Sequence, residues 1–236
     1  MSNRYRFNVI KPEWEASLGR SMYEETVREY GSSILPTSSA EHRLVQRVLD
    51  RLIPASGLQD EQWEVHVIED PQKNAFVIPG GKVFVFSGIM DVAKGEDGMA
   101  AVLGHEIAHN VAHHAAERLS QNLYVLPLML VALLAGLDPS LSSYATRLAF
   151  TLPGSRKQEA EADYIGLLMM AESCYDPQAA MDLWSRMEEE NEAAPPQFLS
   201  THPSNNNRLN KIREWLPQAE LKRENGECGG IAGFGE

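Results

Sequence analysis

Cysteine is scarce. The 236 residues contain two, Cys174 and Cys228, too few for a disulfide scaffold and without the Cys-x-x-Cys spacing of a zinc knuckle or a thioredoxin-like centre. They allow one bridge or two unpaired thiols. Cationic side chains are also in deficit, 21 Lys and Arg against 33 Asp and Glu, giving a net charge of −12. Nothing concentrates Lys and Arg on one face, so nucleic acid is set aside as a partner. No apolar stretch reaches the roughly 18 residues that a membrane-spanning helix requires. The run LYVLPLMLVALLAGL, Leu123 to Leu137, stops at fifteen and contains Pro127 and Gly136. It reads as a buried helix or as a re-entrant or surface-seated membrane contact. The N-terminal MSNRYRFNVIKPEWE has neither an apolar h-region nor the Arg- and Ser-rich, acid-poor composition of an organelle presequence. An exported or imported protein would therefore be represented by a processed or trimmed chain.

With 43% hydrophobic residues, the chain can bury a sizeable core as one domain or one domain plus an appended segment. Ser38 followed by Glu41 is a capping-box pattern, and Leu44, Val45, Val48, Leu49 and Leu52 continue at helical spacing until Pro54. WEVHVIE, Trp63 to Glu69, alternates like a half-buried strand, and AFVIPGGKVFVF, Ala75 to Phe86, reads as two short strands around a Pro-Gly-Gly turn. From Gly98 onward the pattern is helical, broken at prolines. The expectation is an α+β domain, mostly helical with a small sheet. An N-terminal helical segment, 1–36, packs on it or leads into it. The domain proper is 37–220, with a hydrophobic insert at 123–152, and 221–236 is a C-terminal tail.

Four of the seven histidines fall in LGHEIAHNVAHH, Leu103 to His114. Residues four apart on a helix lie one above the other, so His105 and His109 present both imidazoles to one point. Ala100, Leu103, Ile107 and Val111 form a stripe on the other side, which can anchor the helix while the histidine face looks into a cleft. Glu106 lies between the faces. A carboxylate beside a metal, yet not a ligand, can take a proton from a water polarised by the ion, which is the chemistry of the H-E-x-x-H pattern. His113 stands about 12 Å along the axis from His105, too far for the same ion. His114 points nearer the apolar stripe. Both are expected to be supporting, capping or surface residues.

A third ligand is expected in SRKQEAEADYIG, Ser155 to Gly166, which should begin a helix after Pro153-Gly154. Glu159 and Asp163 share a face with Ala162 and Gly166, small enough for close approach, whereas Glu161 points about 160° away at 100° per residue. Glu159 is the expected ligand, and Asp163 the acceptor that orients a ligand histidine through its other ring nitrogen. One Zn2+ per chain is the expected cofactor.

HEIAH followed by SRKQEAEAD resembles the gluzincin metalloproteases of the CAAX prenyl protease and HtpX-like family. NAFVIPGG, Asn74 to Gly81, resembles that family's substrate-side edge strand, and STHPSNNNRL, Ser200 to Leu209, its His-Pro segment. The resemblance implies a zincin-like fold and a zinc endopeptidase with ligands His105, His109 and Glu159 and base Glu106. It also implies peptide binding by Asn74, Ala75 and Phe76. His202 would stabilise the oxyanion or be an ordinary turn residue. EAEADYIGLLMMA, the hydrophobic insert and LSTHPSNNNRLNKIREWLPQA together resemble a mitochondrial inner-membrane branch on the intermembrane-space side. That branch acts under stress on inner-membrane proteins, dynamin-related fusion GTPases among them, and on itself. The chain departs from the branch in lacking a presequence and a clear N-terminal span, as would a chain trimmed to its peptidase domain, or a bacterial or otherwise soluble homologue. The alternative to proteolysis is a membrane-associated chaperone or scaffold whose zinc is structural. An oxidising compartment would favour a Cys174–Cys228 bridge pinning the tail.

Overall fold

The computed structural model describes residues 4–121, 152–191, 198–199, 202, 207–226 and 228, apart from the side chains of 152–155 and 191. The run 123–137, with the membrane contact proposed for it, lies outside the described residues. No helix among those described is long and apolar enough to cross a membrane.

The order of elements is α1 (Pro12–Tyr30), α2 (Ala40–Ser56), β1 (Glu64–Ile68), β2 (Ala75–Ile78), β3 (Lys82–Phe86), α3 (Met90–Ala93) and α4 (Glu96–Val111). A short helix α5 covers 114–121, followed by α6 (Leu152–Glu172), α7 (Gln178–Asn191) and α8 (Arg208–Glu224). The strands form one sheet in the order β1-β3-β2, with β1 parallel and β2 antiparallel to β3. This is the expected mostly helical α+β domain.

β3 is buried on both faces, which explains its unbroken apolar run. Val83 and Val85 join Val65, Val67 and Ala75 in the main core under the helices. Phe84 and Phe86 face the other way, with Ile68 and Ile78, against Tyr23, Val27 and Tyr30 of α1. The N-terminal helix thus seals the outer face of the sheet.

Three local expectations shift. The cap of α2 is Ser39, whose hydroxyl accepts from the His42 N–H, one residue later than the Ser38 pattern. Pro54 does not end α2; the helix continues to Ser56 and stops at Gly57, whose φ of 74° suits a left-handed cap. α6 starts at Leu152, before Pro153 rather than after it, because a proline in a first turn forfeits no helical hydrogen bond. α4 differs more: it is buried on all sides from Gly98 to His109. The helix lies in the middle of the domain, packed against α2, β2, α6 and α7, and its histidine face looks onto α6 rather than into an open cleft.

Candidate metal centre

The site is built where α4 crosses α6. Gly104 and Gly166 meet at the crossing so closely that a Cβ on Gly166 would lie 2.8 Å from the Gly104 carbonyl carbon and 2.8 Å from the His105 nitrogen. Only glycine lets the backbones approach this far. One residue beyond Gly104 stands His105, and two turns before Gly166 stands Glu159.

Four donor atoms converge. His105, His109, Glu159 and His202 each offer one, all within 4.8 Å of one another. His105 Nε2 lies 3.1 Å from His109 Nε2, 3.2 Å from His202 Nδ1 and 3.3 Å from Glu159 Oε2. Glu159 Oε1 is 3.6 Å from His109 Nε2, and Glu159 Oε2 is 3.1 Å from His202 Nδ1. Ligands on a tetrahedral ion at 2.0–2.1 Å are separated by about 3.3 Å, so the spacing is that of a small coordination shell.

The hydrogen-bond network explains why these lone pairs face inward. His105 Nδ1–H donates to Asp163 Oδ1 at 2.9 Å, leaving Nε2 as the free lone pair. On the other side, His114 Nε2–H donates to Glu161 Oε2 at 3.1 Å. His114 Nδ1 is then an acceptor and takes the His109 Nδ1–H at 2.8 Å, so His109 also keeps its Nε2 lone pair for the centre. Burial pushes His114 down to about 4, which keeps its ring neutral near pH 7. Two inward lone pairs at 3.1 Å are repulsive unless a cation or a proton lies between them. Burial alone would lower His105, but the Asp163 and Glu159 carboxylates override it and raise the ring to about 9. Burial holds His109 well below its ordinary value. Glu159 is pulled down: burial opposes its charge, yet hydrogen bonds from His105 and His202 outweigh that.

Glu106 is buried beside this group and is not one of its donors. Desolvation raises its pKa. Oε1 lies 3.2 Å from His202 Nε2 but without hydrogen-bonding alignment to any described residue. A buried carboxylate oxygen without a hydrogen bond among the described residues, next to four converging donors, fits a site made for an ion and a water.

The structure thus brings His105, His109, Glu159, Glu106 and Asp163 together. Glu161 is buried away from the centre. His202, expected as an oxyanion stabiliser or an ordinary turn residue, also offers a fourth donor atom to the group. His113 and His114 correct the reading of one continuous helix: α4 ends at Val111, and His113 takes a left-handed φ of 51°. The new helix swings His114 back onto His109, away from the apolar stripe. His113 points outward to Glu15, 3.1 Å away. Sequence reasoning missed Arg208. Its Nε donates to Asp163 Oδ2 at 2.7 Å and an Nη to Glu159 Oε2 at 3.2 Å, while its guanidinium lies 3.9 Å over the Trp184 ring. The only signal for it was a lone arginine in the STHPSNNNRL segment. β2 is an edge of the sheet beside α4. Ala75 is buried in the core, Phe76 stacks on Phe84, and Asn74 Oδ1 is buried without a partner among the described residues.

Comparison with known proteins adds the lineage. The model of "Peptidase family M48" matches residues 39–216. The mitochondrial metalloendopeptidase OMA1 of Schizosaccharomyces pombe is 48% identical over 236 residues, covering 97% of this chain and 68% of the relative. The protein of that name in Saccharomyces cerevisiae is 32% identical over 252 residues, 99% of this chain and 73% of its own length. The human relative, metalloendopeptidase OMA1, mitochondrial, is 32% identical over 247 residues, 97% of this chain but 47% of its own length.

Proposed function

The chain belongs to peptidase family M48 and is a metalloendopeptidase, and from that premise we propose that it cleaves peptide bonds with one zinc ion held by His105, His109 and Glu159. The observation that carries this reading is the convergence of those donors at tetrahedral spacing, with the buried Glu106 carboxylate beside them and one of its oxygens without a hydrogen bond among the described residues. Zinc suits a site of imidazole and carboxylate donors. When bound, the ion acts as a Lewis acid that brings the pKa of a water towards neutrality and polarises the scissile carbonyl.

The residues then have separate tasks. Glu106 takes a proton from the attacking water and returns it to the leaving amine. Asp163 and Arg208 hold His105 and Glu159 in place. Hydrolysis requires one position open to water. His202, the one donor carried outside α4 and α6, is the one that yields, and its ring is then available to stabilise the oxyanion. The peptide adds as a strand along β2, from Asn74 to Ile78, through main-chain hydrogen bonds that make little sequence demand.

The OMA1 relatives are mitochondrial, and this chain is a mitochondrial protease with them. Two features support the intermembrane-space side of the inner membrane. One is the likeness of the chain's motifs to the inner-membrane branch. The other is the disulfide between Cys174 and Cys228, a bond suited to an oxidising compartment. Substrates by the same likeness are inner-membrane proteins, dynamin-related fusion GTPases among them. Purified protein is expected to contain about one zinc per chain and to cleave an unstructured peptide, with activity removed by a chelator and restored by zinc. Cleavage indifferent to chelation overturns the proposal.

A further inference from the structure

The first described residues, RYRFNV, alternate polar and largely apolar side chains, the pattern that on an extended chain sends neighbours to opposite sides. Tyr5 is fully exposed, while Arg4 turns inward. The Arg4 guanidinium grips Glu117 on α5 with both Nη atoms, at 2.7 and 2.5 Å, and its Nε donates to Glu161 on α6 at 2.6 Å. Arg6 bonds the second Glu161 oxygen. The Val9 N–H donates to Ser120 Oγ at 3.0 Å, fixing the strap's backbone to α5. Both carboxylates are almost wholly buried. Buried charges of this kind depend strongly on their partners, so the strap is part of how Glu117 and Glu161 are held.

Glu161 is also the residue that sets His114, and through it His109. The route runs from Arg4 to Glu161 to the His114 Nε2–H, and from His114 Nδ1 to the Nδ1–H of the metal ligand. It mirrors the other ligand helix face, where Arg208 holds Asp163 and Asp163 holds His105. We propose that Arg4 is a positioning residue for the metal: docked on Glu161, the N-terminal strap holds the back of His109 through His114 and so sets how firmly the ion is retained.

This rests on the zinc site assigned above, and its test separates the two. Zinc-loaded wild type, Arg4→Gln, Arg4→Lys and Ser120→Ala are mixed with a chromogenic chelator, and the rate of zinc release is measured beside kcat and KM on a peptide. Arg4→Gln is expected to release zinc faster than wild type, by less than the roughly 10- to 100-fold typical of losing a residue bonded directly to a ligand, because Arg6 still bonds Glu161, with kcat lowered and KM unchanged. Arg4→Lys recovers part of the loss, since a point charge replaces a fork. Ser120→Ala, which touches no charge, gives a smaller acceleration and covers the case in which Arg4→Gln does not fold. A variant that melts earlier yet releases zinc at the wild-type rate makes the strap merely structural and overturns the proposal. Wild type that retains no zinc overturns this proposal and the zinc site together.

Discussion

Two carboxylates one helical turn apart have unequal tasks in this account. Glu159 supplies a donor, so Glu159→Ala is expected to abolish zinc retention. Asp163 only orients His105, and Asp163→Ala should weaken affinity or activity by about 10- to 100-fold. Metal analysis after dialysis distinguishes them, and equal losses contradict the assignment. A second residue-scale expectation concerns acid. Burial would raise Glu117, but the hydrogen bonds from Arg4 and Gln158 override it and hold the carboxyl below its ordinary 4.5. A carboxyl depressed in the folded state stabilises the fold above its ordinary value, and that contribution is lost as pH falls through the folded value. Arg4→Gln removes the main cause, so the acid-unfolding midpoint of the metal-free protein should move to higher pH, as read by circular dichroism. Coincident midpoints contradict this linkage.

Between elements, the centre depends on how closely α4 and α6 cross. A methyl group at Gly166 meets backbone, which cannot rotate away as a side chain can. Gly166→Ala should force the helices apart, cost at least the 1–3 kcal/mol typical of overpacking, and lower zinc affinity by moving Glu159 from His105. A melting curve and a zinc titration test it, and unchanged affinity would mean that the crossing does not set the site. Much of this element was readable in advance. The i,i+4 spacing put His105 with His109 and Glu159 with Asp163, and the small residues beside them announced the close approach. The periodicity could not show that α4 is buried all round, because that follows from what packs against it. His114 was misplaced because one left-handed residue, His113, breaks the helix. Arg208 went unseen because its partners are brought to it only by the fold.

Across the whole molecule, a three-stranded sheet and α1 form one side, and the helices that carry the chemistry form the other. The sheet was legible from its alternation, and the continuous run of β3 became clear once α1 was seen on its outer face. The tail is tied back by Cys174–Cys228, a pairing the sequence could only offer beside free thiols. Neither the pairing nor the packing changes the central claim, that the chain hydrolyses peptides at a metal held by α4 and α6 with Glu106 as base. Its most direct test is turnover of one peptide by wild type and Glu106→Gln, each with its zinc content measured in the same sample. Glutamine keeps the size of the side chain but cannot accept the proton. Equal zinc is expected, with a rate reduced beyond the roughly 10²–10⁴ typical of acid-base groups, because the nucleophile itself is not formed. A zinc-loaded Glu106→Gln protein that cleaves at near the wild-type rate would contradict it.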